Sequence, residues 1–184
     1  VFQAIQRAIP LSPSMRVLDF GCGTGLVTLP LARHVAQVAG VDSSRGMLEV
    51  LDRKIAEYGI GNVTTRFLDF DAGDSLTGTY DLVVSSLTLH HVPDTQSLLV
   101  ALVQRLNPGG ILCIADFDLE DGDFHDDNTG VFHFGFERDS LRAQFVRAGL
   151  AEIADTTATV VRKPGKDGIP KEFPVFLMKG ICCG

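Results

Sequence analysis

The stretch Val17-Leu18-Asp19-Phe20-Gly21-Cys22-Gly23-Thr24-Gly25 constrains this chain more than any other. Strand-forming residues run into an acid and then into three glycines on alternate positions. A segment of helical character follows. A buried parallel strand that ends in a glycine-rich turn and feeds a helix brings backbone N–H groups to the mouth of a sheet. Glycine lets a ligand approach that backbone with no Cβ in the way.

The rest of the chain repeats strand and helix. After the strand at 16–20, the segments 36–41, 63–68, 80–85 and 111–115 read as strands. Helical spacing marks 1–9, a segment from Thr24 or Gly25 to Arg33, 95–106 and 136–148. Another helix, carrying Met47, Leu48, Leu51 and Ile55, follows a Ser43-Ser44 cap and stops at Gly59 and Gly61. Alternation of this kind predicts a parallel sheet with right-handed crossovers. Two final strands, 151–161 and 173–179, are joined by a link at 163–171 rich in Pro, Gly and Lys. With no helix between them they must be antiparallel neighbours. The expected fold is an α/β, Rossmann-like three-layer sandwich. Its seven-stranded sheet is mostly parallel with the last strand antiparallel, and helices cover both faces. One domain spans 1–184, with a polar insertion at 117–135.

Charge limits the partners. The net charge of −7 and the lack of a Lys/Arg cluster disfavour nucleic acid. No apolar run approaches the roughly 18–20 residues of a membrane span. Cys22, Cys113, Cys182 and Cys183 form no paired CxxC motif, which argues against a zinc site; Cys22 and Cys113 read as reduced small residues of a cytoplasmic protein, and Cys182-Cys183 is a terminal pair with no obvious partner. The expected assembly is a monomer or homodimer.

Two nucleotide-binding patterns share a glycine-rich first turn. The dinucleotide fingerprint G-x-G-x-x-G would place its third glycine where Leu26 stands. A P-loop needs Lys-Ser/Thr after its glycines, but Leu26-Val27 follows Gly25. Asp42 closes the second strand, where an acid accepts hydrogen bonds from ribose hydroxyls. That position serves more than one nucleotide-like ligand.

At this point the sequence resembles the class I S-adenosylmethionine-dependent methyltransferases, over nearly its whole length. The first motif is Leu18-Asp19-Phe20-Gly21-Cys22-Gly23-Thr24-Gly25, and Val41-Asp42-Ser43-Ser44-Arg45-Gly46-Met47-Leu48 is similar to the second. Phe67-Leu68-Asp69-Phe70 resembles the adenine-contacting turn. Tyr80-Asp81-Leu82-Val83-Val84-Ser85-Ser86 with Leu89-His90-His91-Val92-Pro93-Asp94 resembles the fourth-strand motif. Leu106-Asn107-Pro108-Gly109-Gly110 is the fifth landmark.

The resemblance implies S-adenosyl-L-methionine as cofactor and S-adenosyl-L-homocysteine as product. Gly21, Cys22 and Gly23 would surround the methionine part, with loop N–H groups facing it, and Asp19 would lie beneath. Asp42 would take the ribose hydroxyls, with Ser43 and Met47 beside ribose and adenine. Asp69 would accept from the adenine amino group, with Asp71 as its rival, and Phe70 would supply an apolar face. Ser85 and Leu87 would border the methionine end. The insertion would build the pocket of a small-molecule acceptor. In this family N-terminal helices often close over that pocket. Only 1–9 precedes the first strand here, so part of that lid is expected to lie outside the chain.

His90, His91 and His133 are the candidate catalytic residues, as general base or acceptor ligand, and His125 shares the insertion with His133. His34, at a helix end, reads as structural. His125, Asp126, His133 and Asp116 are metal-capable, but their spacing matches no compact ligand motif and no metal is expected. The sulfonium carries its own leaving group, so the protein's task is positioning. Two alternatives are an NAD-dependent oxidoreductase, against which Leu26 stands, and a non-catalytic module that keeps the fold to bind a partner.

Overall fold

The computed structural model describes residues 1–183. Its elements are α1 (Phe2–Ala8), β1 (Arg16–Phe20), α2 (Thr28–Ala32), β2 (Gln37–Asp42), α3 (Arg45–Tyr58), β3 (Val63–Phe67), β4 (Tyr80–Ser86), α4 (Thr95–Val103), β5 (Leu106–Phe117), α5 (Arg138–Arg147), β6 (Leu150–Pro164) and β7 (Pro170–Cys182). One sheet takes the order β3-β2-β1-β4-β5-β7-β6. The pairs from β3 to β5 are parallel, and β7 runs antiparallel to both neighbours. The expected seven-stranded architecture is therefore present, with β7 as the reversed strand.

Two apolar layers fix the sandwich. Leu18, Val83, Leu112, Ile114, Phe176 and Met178 pack on one face with Leu98, Leu99 and Leu102 of α4 and Leu141 and Phe145 of α5. Val17, Leu82, Val84, Cys113 and Leu177 pack on the other with Ile5 of α1 and Leu31 of α2. Strand residues that alternate between two covered faces must be apolar on both, which explains the near-continuous apolar runs of β4 and β5. No helix among the described residues is long and apolar enough to cross a membrane.

The chain leaves β1 for β2 and β3 on one side, then crosses to β4 on the other. This reversal opens a crevice at the carboxyl ends of β1 and β4, where open α/β sheets bind ligands. The helix after the glycine turn is shorter than its expected span to Arg33, beginning only at Thr28. Gly21, Gly23 and Gly25 hold φ of +71°, +51° and +86°, and a right-handed helix cannot start through them. The helix expected at 136–148 starts at Arg138, because Glu137 turns extended and its carboxylate accepts from the amides of Asp139 and Ser140. α4 ends at Val103 rather than 106, and Leu106 already pairs with Tyr80 ahead of an irregularity in the β4–β5 register. The final hairpin is longer than expected: β6 and β7 pair out to Pro164 and Pro170.

Candidate functional site

The crevice is a cavity of about 500 Å³. Its walls are the ends of β1 and β2, the glycine turn, the start of α3, the turn after β3 and the segment after β4. Two features shape the glycine turn. A Cβ on Gly21 would stand 2.1 Å from Oγ1 of Thr88, so the close approach of two loops requires glycine there. Among the described residues, a Cβ on Gly23 meets nothing within 4 Å; it would project into open space beside the cavity.

Four N–H groups of the turn, expected to face a ligand, bond within the protein. Those of Gly21 and Cys22 donate to the Val41 carbonyl at 2.8 and 3.0 Å. Gly23 donates to Oδ2 of Asp42 at 2.7 Å, and Gly25 to the Cys22 carbonyl at 2.9 Å. Asp42 also accepts from the Ser44 amide at 2.8 Å. It thus ties the turn to the first residues of α3 while presenting its carboxylate at the cavity.

The cavity is acidic. Asp19, Asp42, Asp69 and Asp71 line it, and no Lys or Arg among the described residues does. Asp19 is 1% exposed, and the Thr28 hydroxyl donates to it at 2.6 Å. Burial pushes the Asp19 carboxyl up to about 6, opposed by the Thr28 bond and reinforced by the Asp42 charge. Asp69 Oδ1 accepts from the Ala72 amide at 3.1 Å, which holds its turn, and Asp71 lines the wall beside it. Phe70 packs edge-on against Phe20 at 6.3 Å. Ser43 lies on the wall and Met47 on the rim, 47% exposed. Cys22 touches the cavity, but its thiol packs near Gly40 and burial pushes its pKa far up, so it is inert.

Ser85 is the one expected cofactor residue that is not on the wall. It is buried on β4, its Oγ without a hydrogen-bond partner among the described residues. Ser86, Leu87 and Thr88 line the cavity instead. Side chains alternate between sheet faces, so β4, running one residue past its expected end at Ser85, brings Ser86 to the wall. Leu87 holds φ of +54°, a strained backbone for a branched side chain. Thr88 Oγ1 spans 3.3 Å to the Gly21 carbonyl, joining the two loops.

The histidines divide. His91 lines the cavity, and its Nδ1 stands 2.8 Å from the Gly130 carbonyl, so Nδ1 carries the proton and Nε2 is free. His90 lies behind it, 2% exposed, with the ring centroids 4.1 Å apart. Its Nδ1 donates to Oδ1 of Asp116 at 2.7 Å. Asp116 is fully buried and also accepts from the amides of His90 and Phe117. Nε2 of His90 faces Nε2 of His125 at 3.2 Å. Burial and the neighbouring imidazoles lower the His125 pKa. His133 does not join them. Its Nε2 donates to the Val92 carbonyl at 3.0 Å and its ring packs on Phe136. His34 stacks on Phe2 at a centroid distance of 5.7 Å, away from the cavity, as a structural residue would.

The polar insertion is clamped rather than loose. Lys163 donates to the Phe124 carbonyl at 2.5 Å, and Lys171 pairs with Asp121 and Asp123. The His90 carbonyl accepts from the amides of Phe132 and His133. Arg138 bonds both carboxylate oxygens of Asp118 at 2.7 and 2.6 Å. Sequence reasoning missed the Asp116–His90 pairing, because an acid at the end of a strand carries no mark of which loop returns to it.

Residues 17–110 match the family model described as "Methyltransferase domain". The chain belongs to the class I S-adenosylmethionine-dependent methyltransferase family. It is similar to an uncharacterised methyltransferase of Schizosaccharomyces pombe, 32% identical over 74% of this chain and 54% of that protein. It is similar too to a trans-aconitate 2-methyltransferase of Deinococcus radiodurans, 39% identical over 60% of this chain and 41% of the relative. The chain therefore spans about half the length of the curated relatives it matches. Among solved structures, a phosphoethanolamine N-methyltransferase 2 of Haemonchus contortus in complex with S-adenosyl-L-methionine superposes with a TM-score of 0.79 at 18% identity. The match covers 99% of this chain and 52% of that one.

Proposed function

We propose that the chain binds S-adenosylmethionine in the acidic cavity and transfers its methyl group to a small-molecule acceptor seated between His91 and the 117–135 insertion. The observation that carries this reading is the cavity's charge. Four carboxylates and no cation suit a ligand with a sulfonium and an ammonium group. They repel a pyrophosphate, and the turn's committed N–H groups leave little to cradle one. This weighs against the dinucleotide alternative on grounds independent of the glycine count.

In this assignment Asp42 takes the ribose hydroxyls while holding the turn, Met47 and Phe70 flank the adenine, and Asp69 or Asp71 accepts from its amino group. Asp19 faces the methionine end with Gly21, Gly23 and Leu87. His91, its ring beside that of His90, meets the acceptor as base or as binding group. The trans-aconitate and phosphoethanolamine enzymes act, by name, on small molecules, which supports that acceptor class. Calorimetric titration with S-adenosylmethionine and S-adenosylhomocysteine is the test. We expect one site per chain; heat from NADH in place of either would overturn the assignment.

A further inference from the structure

Beside the cofactor cavity, three imidazoles from two distant segments converge. His90, His91 and His125 each offer a ring nitrogen, and the three nitrogens lie within 4.8 Å of one another. We propose that they form a binding site for a divalent transition metal of the zinc type, with its fourth position open toward the acceptor. The inference rests on the methyl-transfer reading only for what the fourth position binds.

The geometry has three parts. Zinc bonds of about 2.0–2.1 Å at tetrahedral angles set ligand nitrogens about 3.3 Å apart. The Nε2 atoms of His90 and His125 stand 3.2 Å apart. The third nitrogen, from His91, lies within 4.8 Å of both. Two of the three donors are already in the tautomer a metal needs, and His125, whose Nε2–H faces the His90 lone pair, changes tautomer on binding. Nδ1 of His90 is held by Asp116 and Nδ1 of His91 by the Gly130 carbonyl, so both Nε2 lone pairs point away from these anchors. A carboxylate or carbonyl behind each ligand is the usual support of a metal-bound imidazole.

The third part is charge. Asp116 is fully buried, and among the described residues its one ion-pair partner is His90 rather than a Lys or Arg. With the His90 and Phe117 amides also donating to it, this carboxylate is fixed behind His90, where it would support a divalent ion bound on the imidazole's far side. Imidazole donors favour zinc and its transition-metal neighbours over magnesium and calcium, which seek oxygen.

His91 faces the cavity, so the open position falls where the acceptor lies. An acceptor hydroxyl bound there ionises, its proton passing to solvent. The oxygen–carbon bond then forms as the methyl–sulfur bond breaks, and the electron pair stays on sulfur. This places acceptors with a hydroxyl ahead of simple amines.

The test uses the untagged chain, stripped with chelator and desalted, then titrated with Co²⁺ and followed by ligand-field absorption. S-adenosylmethionine is titrated into the same preparation. We expect one Co²⁺ per chain with a four-coordinate spectrum, displaced by Zn²⁺ and not by Mg²⁺. His125→Ala should weaken uptake at least ~100-fold with an unchanged circular dichroism spectrum, and Asp116→Asn about 10–100-fold. Absence of stoichiometric uptake, or uptake that survives His125→Ala and His91→Ala alike, overturns the site. Metal uptake without cofactor binding supports the site and sinks the methyl-transfer reading; cofactor binding without metal uptake does the reverse.

Discussion

Asp19 gives the sharpest prediction, because its ionisation opposes folding while its charge serves the ligand. The carboxyl is 1% exposed, and burial raises its pKa from 3.8 to about 6. Each pKa unit is about 1.4 kcal/mol, so the shift amounts to about 3 kcal/mol. The sign follows from proton binding. Below pH 3.8 folded and unfolded chains both hold the proton, and the site costs nothing. As pH rises, the unfolded chain loses its proton first, and stability falls until the folded carboxyl ionises near 6. Above that the full cost is present. Asp19→Asn keeps the shape and still accepts from the Thr28 hydroxyl. At pH 7.5 the variant should be about 3 kcal/mol more stable than the wild type, or about 6–12 °C in melting temperature for a chain of this length. At pH 5 the gap should shrink to roughly half. Urea and thermal unfolding followed by far-ultraviolet circular dichroism suit a chain without Trp. The cationic cofactor should bind the variant at least ~10-fold more weakly, and the wild type's affinity should fall on acidification through pH 6. A variant no more stable at pH 7.5, or a gap that does not narrow on acidification, refutes the argument from burial.

Four further outcomes are expected. Gly21→Ala sets a Cβ 2.1 Å from Thr88 Oγ1 at φ of +71° and should cost at least ~2 kcal/mol in thermal unfolding. Gly23→Ala meets no clash and should cost only ~1–2 kcal/mol of left-handed strain, while weakening cofactor in calorimetry. Asp42→Ala removes the acceptor of the Gly23 and Ser44 amides as well as the ribose partner, and cofactor affinity should drop on the order of 100-fold. Lys171→Met releases Asp121 and Asp123 from the hairpin; limited proteolysis should then cut within 119–130 faster, with cofactor affinity unchanged.

The cavity wall was legible because the residues that form it are marked locally. Asp19, Asp42 and Asp69 each lie at or just beyond the end of a short strand, and parallel topology carries all three strand ends to one edge. Errors arose where one residue or one dihedral decides the outcome. Ser85 and Ser86 are told apart only by the phase of β4, and α2 is shortened by backbone angles that a helical pattern does not display. The acceptor side was barely legible because its contacts are not local. His125 and His133 lie in one polar, aromatic insertion, and nothing in their neighbours says which turns inward. That choice is made at long range. Lys163 and Lys171, from the two strands of the terminal hairpin, hold the segment before His125. The His90 carbonyl takes the amides of Phe132 and His133 and leaves His133 facing Val92. Spacing of ligands along the chain therefore misleads here: adjacent His90 and His91 find their third partner thirty-four residues beyond His91. The acid that orients His90 comes from the end of β5, beyond the whole of α4. A three-imidazole centre of this kind is a property of the folded insertion, and the clamp that forms it belongs to the same functional unit as the residues it positions.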